Sequence, residues 1–270
     1  MTQLSTRRFL QIAGLAAAGL LLAACGKKAE PPAPAPAPVA SAPEPAPAPA
    51  PAKVFVVGTD AAYAPFESQN EKGEIVGFDI EVVQAAAAKA GIEIKFVNTP
   101  WEGIFNALGQ GDRDMVASAV TITEERKQTM DFSDPYFDAQ QLIAVKENSK
   151  VAKFADLKKL KVGVQTGTTG DEAVTKLLGK TSTNIKRFES TPLALKELES
   201  GGVDAVVADK EFAPEQYGIA FKKGNTELQT KMNKGLADIK SDGTYDKIFT
   251  KYFGAPPAAA AAAPASAASK

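Results

Sequence analysis

Arg126 and the turn Thr166-Gly167-Thr168-Thr169-Gly170 carry groups able to hold an anion. An arginine presents a planar fork that grips a carboxylate at two points, which a lysine cannot do. Backbone N–H groups at a helix start have no partner inside the helix and carry positive potential, and glycines let such backbone approach a ligand closely. Each signal has a plainer reading: Arg126 sits in the charged run Glu124-Glu125-Arg126-Lys127, a common surface pattern, and a glycine-rich turn before a helix is equally common. Other chemistry is limited by composition. There is no histidine and one cysteine, Cys25. After residue 25, zinc sites, Cys–His dyads and Ser-His-Asp triads therefore lack the residues that build them. An enzyme made from this chain must work with Asp, Glu, Lys or Tyr. A net charge of −1 gives no basic field for nucleic acid.

The elements that must position these groups alternate strand and helix. Val54-Phe55-Val56-Val57 is an apolar run ending at Gly58 and reads as a buried strand. Residues 79–90 carry apolar side chains at 80, 83, 87 and 90, a helical stripe, with Asp79 expected as its N-cap and Gly91 as its end. Residues 92–97 read as a strand, Ile104, Phe105 and Leu108 as a short helix stopped by Gly111, and Met115 to Ala117 as another strand. Strands at 161–164, 185–188 and 203–208 alternate with helices at 171–178 and 191–200. Such alternation predicts parallel sheets with covered faces. The pattern falls into two series, joined near 140–146 and again near 217–221, so two α/β lobes are expected, with a final helical stretch 227–253 returning to the first. Ligands of open α/β sheets bind outside the carboxyl ends of the strands, so two facing lobes make a cleft.

Both ends differ in kind. Arg7 and Arg8 precede an uncharged stretch from Phe9 to Ala24, the pattern of a secretory signal and short of the about 20 residues that span a bilayer. Its ending, Leu22-Ala23-Ala24-Cys25, resembles a bacterial lipobox, in which the cysteine becomes the lipidated first residue of the mature protein. The twin arginines fit a Tat signal only in part, which leaves Sec export open. Residues 31–52 are almost entirely Pro and Ala. They favour extended polyproline geometry, at roughly 3.1 Å per residue a spacer of several nanometres. Residues 255–270 repeat that composition and are expected to fray.

Six segments then occur in order. They are Gly58-Thr59-Asp60-Ala61-Ala62-Tyr63-Ala64-Pro65-Phe66-Glu67, Gly77-Phe78-Asp79-Ile80-Glu81, Thr121-Ile122-Thr123-Glu124-Glu125-Arg126, Asp131-Phe132-Ser133-Asp134-Pro135-Tyr136, Gly163 to Gly170, and Tyr217-Gly218-Ile219-Ala220-Phe221. Together they resemble the periplasmic polar-amino-acid-binding proteins of ABC transporters, solute-binding family 3, over residues 53–254, nearest to the basic-amino-acid binders. The resemblance implies a two-lobe type II periplasmic binding protein fold, with parallel-rich sheets, helices on both faces and a two-strand hinge. It divides the chain into a lipoprotein signal (1–25), a linker (26–52), lobe 1 (53–138 and 219–254), lobe 2 with the hinge strands (139–218) and a tail (255–270).

The same resemblance implies the site. Arg126 clamps the ligand α-carboxylate, with Ser118, Ala119 and Thr121 adding bonds and Thr168 and Thr169 covering its other side. Asp209 takes the α-ammonium, with a shortened return to the hinge, or else it belongs to the pre-hinge strand and the segment was deleted around it. Tyr63 and Trp101, the only tryptophan, sandwich the side chain, and aromatic faces attract cations by about 0.5–2 kcal/mol. Asp60 and Gln165 read the distal end, where a carboxylate favours lysine or arginine, with glutamine or histidine next. No cofactor is implied; the partners are a free amino acid, an inner-membrane permease and, through Cys25, the membrane, and the protein is expected to be monomeric, extracytoplasmic and not an enzyme. One departure stands out. Only Lys210 to Gln216 separate Asp209 from the Tyr217 segment, where family members carry a further helix and strand, and a parallel crossover needs a dozen or more residues. The second lobe is therefore expected to be shortened, with one sheet face short of cover. Alternatives to transport are a dehydratase-type enzyme on the same fold, acting on an arogenate- or prephenate-like substrate, and a sensing or degenerate binding paralogue.

Overall fold

The computed structural model describes residues 53–139, 142–208 and 215–255. The chain begins with β1 (Val54–Thr59), β2 (Ala62–Tyr63), β3 (Glu67–Gln69), β4 (Ile75–Val76), α1 (Phe78–Ala90), β5 (Glu93–Asn98), α2 (Trp101–Gln110), β6 (Met115–Val116), α3 (Glu124–Thr129) and β7 (Met130–Phe132). It crosses through β8 (Phe137–Ala139) to β9 (Leu142–Val145), a 3-10 turn at Phe154–Lys159, β10 (Val162–Gln165), α4 (Thr169–Leu178), β11 (Ile185–Phe188), α5 (Thr191–Ser200) and β12 (Ala205–Ala208). It returns through β13 (Glu215–Tyr217) to β14 (Ala220–Lys222), α6 (Thr226–Ser241) and α7 (Thr244–Phe253). The first lobe holds a sheet in the order β5-β1-β6-β14-β7, and the second holds β11-β10-β12-β9. Within these two sheets strands pair in parallel except β14, which runs against β6 and β7, and β9, which runs against β12.

The two crossings lie a few residues earlier than the apolar pattern predicts. β8 and β13 pair with each other, antiparallel, while the neighbouring β9 and β14 belong to the two lobe sheets. Apolar runs at 142–145 and 219–221 mark sheet membership, because a strand covered on both faces needs them; the crossing pair has no such requirement.

Helix α1 buries Phe78, Ile80, Val82, Val83, Ala86 and Ala87 and ends on Gly91 at φ 67°, as expected. Its start differs. Gly77, not Asp79, is the N-cap, at φ 145° and without a side-chain cap bond. A Cβ on Gly77 would lie 2.0 Å from the Phe66 carbonyl oxygen, so only glycine fits. Asp79 is released from capping and turns inward, fully buried. α6 and α7 return to pack on α1, and a Cβ on Gly235 of α6 would come within 2.1 Å of the Ala86 carbonyl oxygen, which makes that helix approach glycine-dependent. Their Met232, Leu236 and Ile239 join Phe78, Val83 and Phe221 in one core.

Lobe 2 is smaller, yet both faces of its sheet are covered. Val162, Val164, Ala205 and Val207 pack with Val174 and Leu157 on one face, and Val206 packs with Ala194 and Leu198 of α5 on the other. The expected bare face is thus absent among the described residues. Apolar exposure falls instead at the edge, where Leu142 at the start of β9 is 72% exposed.

Candidate functional site

β1, β6, β10 and β12 all end at one cleft between the lobes. Every described residue expected at the site lines it: Asp60, Tyr63, Trp101, Ser118, Ala119, Thr121, Arg126, Gln165, Thr168 and Thr169. Asp209 and Cys25 lie outside the described residues. Ala208, the last residue of β12, reaches the cleft.

At one end stands Arg126, in the first turn of α3. Thr123 starts that helix by accepting the Arg126 N–H through its side-chain oxygen at 3.1 Å. The guanidinium donates to the Thr121 carbonyl at 2.9 Å and lies 5.4 Å from the Trp101 ring centroid and 5.2 Å from that of Phe105. These contacts fix the orientation of the fork. From lobe 2 the first turn of α4 enters the same cleft. Thr168 caps it, accepting the Asp171 N–H at 3.2 Å, and Gly167 before it sits at φ 71°. Asp171 also accepts the Gly167 N–H at 3.2 Å and is held by the Arg187 Nε at 3.0 Å, so the anion-binding turn is braced from behind.

Glu215 was not expected here. Its carboxylate accepts the Thr121 hydroxyl at 2.9 Å and the Thr169 hydroxyl at 3.3 Å, joining both lobes where β13 crosses. Both hydroxyls are committed to Glu215 as donors.

At the other end the lobes meet through side chains. Gln165 donates to Asp60 Oδ2 at 3.1 Å and to the Glu189 carbonyl at 3.1 Å, and accepts the Thr191 hydroxyl at 3.0 Å. The Trp101 indole N–H donates to the Gly167 carbonyl at 3.3 Å. The Gln165–Asp60 and Trp101–Gly167 bonds join the two lobes across the cleft. Burial raises the Asp60 carboxyl above its ordinary value, against hydrogen bonds from Gln165 and the Trp101 backbone N–H. A cation beside it would oppose that rise.

The floor between the two ends is tied down from below. Ser118 Oγ accepts the Asp60 N–H and donates to Glu67 Oε1, both at 3.0 Å. The Ala119 N–H donates to Asp79 Oδ2 at 2.7 Å, and Ala119 takes φ 46°, a left-handed conformation costly for a residue with a side chain. Glu67, Thr191, Val207 and Ala208 also line the cleft and were not foreseen. For Glu67 a signal existed: the β2–β3 hairpin sets it directly opposite Tyr63, so the two share a face.

With this architecture in view, residues 55–255 match the family described as bacterial extracellular solute-binding proteins, family 3, and the chain belongs to it. It is 42% identical over 266 residues to a probable histidine-binding protein of Neisseria gonorrhoeae, covering 89% of this chain and 94% of that protein. Among solved structures it is similar to ArtJ, an arginine-, lysine-, histidine-binding protein from Geobacillus stearothermophilus, with TM-score 0.73 and 43% identity over 76% of this chain and 97% of that one. It is also similar to an ancestral arginine-binding protein solved with arginine, at TM-score 0.71 and 43% identity over 74% of this chain and 98% of that one, and with glutamine, at TM-score 0.70.

Proposed function

We propose that this protein captures a free polar amino acid, with arginine or lysine favoured and glutamine or histidine next, and delivers it to an ABC permease. The observation that carries this reading is the pairing of opposite charge preferences in one closed cleft. Arg126 and the start of α4 suit the α-carboxylate, while Asp60, Gln165, Tyr63 and Trp101 suit a cationic or amide side chain at the far end. The relatives named above bind histidine, arginine and lysine, and one of them also takes glutamine. Asp209, directly after the cleft residue Ala208, supplies the partner for the α-ammonium. We read the protein as a monomer that works outside the cytoplasm, tethered through lipidated Cys25. Among the described residues no helix is long and apolar enough to cross a membrane.

Thermal-shift measurements against the twenty amino acids test this reading, since a ligand that binds only the folded state stabilises it by RT ln(1 + [L]/Kd). Arginine and lysine give the largest shifts; no shift with any amino acid overturns the proposal. Membrane fractionation of Cys25→Ser tests the tether: the variant moves to the soluble fraction.

One observation favours a second reading. Glu67 is a buried acid at the cleft wall, the kind of group a dehydratase needs as proton donor. Conversion of arogenate by the purified protein would establish enzyme activity; unchanged arogenate leaves binding as the function.

A further inference from the structure

Beneath the cleft floor two acids meet inside lobe 1. Glu67 comes from β3 and Asp79 from the first turn of α1; their relative exposures are 1% and 0%. The Asp79 N–H donates to the carbonyl of Phe66, the residue before Glu67, at 3.0 Å, and the Glu67 carboxyl bears on that of Asp79. Ionised carboxylates offer only acceptors, so a bond between the two requires a proton on one of them. The other donors are already placed. Asp79 Oδ2 accepts the Tyr136 hydroxyl at 2.5 Å and the Ala119 N–H at 2.7 Å, while Glu67 Oε1 accepts the Ser118 hydroxyl at 3.0 Å. The placed donors thus fall on one oxygen of each acid, and the other two, Asp79 Oδ1 and Glu67 Oε2, are buried. Each acid also holds one residue of the floor: Glu67 holds Ser118, and Asp79 holds Ala119 in its left-handed conformation.

We propose that Glu67 and Asp79 share one proton, and that this pair is a positioning element that sets the cleft floor at Ser118 and Ala119 for the ligand. Loss of the proton leaves two buried carboxylates side by side, and their repulsion separates the two floor residues they hold. The titratable groups facing the pair from neighbouring elements are the phenols of Tyr136, Tyr217 on β13 and Tyr245 on α7, together with Asp60, whose N–H reaches Ser118. Burial foremost raises the Asp79 carboxyl from 3.8 to about 6, against bonds from Tyr136, Ala119 and Glu67. The folded protein therefore keeps a proton that the unfolded chain releases. Across that window the unfolded state binds fewer protons, so stability falls as pH rises through it.

The affinity arm of the test rests on the ligand reading above; the spectroscopic arms do not. Calorimetry with L-arginine and with L-glutamine, from about pH 5 to about pH 8, is expected to show affinity falling roughly tenfold for each unit of separation between the pair's free and bound titrations. Glu67→Gln supplies a permanent amide donor to Asp79, so its profile lacks this fall. Asp79→Asn is the second variant and removes the same titration from the other side. Comparison of wild type with each variant isolates the pair from Asp60, which is present in all three. Without ligand, infrared spectra of the wild type show a protonated-carboxyl band that Glu67→Gln lacks, and the Ala119 amide NMR signal titrates in the wild type alone. If neither amino acid binds, the ligand reading fails and these two signals still decide the pair. The proposal is overturned if the wild type shows no protonated-carboxyl band near pH 5, or if Glu67→Gln keeps the wild-type pH slope.

Discussion

Lobe 1 and lobe 2 are built to different plans, and the difference separates holding a ligand from closing on it. The core of lobe 1 is aromatic and continuous: Phe78 meets Phe137 and Phe253 edge-on at centroid distances of 5.4 and 5.1 Å, and α6 and α7 add their apolar faces. Lobe 2 has two small aliphatic clusters, one on each face of a four-stranded sheet. The site follows the same division. Lobe 1 supplies the charges and rings, through Asp60, Tyr63, Trp101 and Arg126, whereas among the described residues lobe 2 supplies helix-start backbone, Gln165 and three threonines, Thr168, Thr169 and Thr191. A rigid lobe suits groups that must keep their geometry, and a lighter lobe suits a part that moves.

The largest expected effect tests the rigidity of lobe 1. Phe78→Ala removes a fully buried ring and should cost about 3–5 kcal/mol in urea unfolding followed by Trp101 fluorescence. A loss near 1 kcal/mol would show that the aromatic core can collapse around the gap and is less rigid than described.

Next comes the division of binding energy. Arg126→Lys keeps the charge and loses the fork, so affinity for arginine should drop by about 1.5–3 kcal/mol in calorimetry. If affinity is unchanged, lobe 1 does not hold the carboxylate, and the α4 turn of lobe 2 takes that role.

Hydrogen exchange compares the lobes directly. Without ligand, the amides of 142–208 should exchange roughly tenfold faster than those of 53–139, a difference of about 1.4 kcal/mol. Equal protection would mean that the two aliphatic clusters of lobe 2 are as effective as the core of lobe 1.

The smallest effect sharpens the comparison at the distal end. Asp60→Asn keeps an oxygen for Gln165 and loses the charge. Affinity for arginine and lysine should fall by about 0.5–1 kcal/mol more than affinity for glutamine. An equal fall for all three ligands would make Asp60 a contact of closure between the lobes that does not read the side chain.

The sequence by itself determined the alternating elements, the two series of strands and helices, and the order of the site motifs along the chain. Those are local: apolar stripes at 80, 83 and 87, stops at Gly91 and Gly111, and a Gly-rich turn ahead of α4 can be read without knowing what they pack against. Tertiary structure decided the rest. Asp79 reads as a helix cap, because aspartate commonly caps, yet the crowding at Gly77 moves the helix start back and sends the carboxylate into the core. Glu215 reads as one acid among many, and only the crossing of β13 sets it against Thr121 and Thr169. Glu67 lies 12 residues from Asp79 in sequence, and pattern alone gives no sign that they touch. Burial and proton sharing depend on which surfaces fold against each other, and that information is spread over the whole chain instead of residing in any one segment of it.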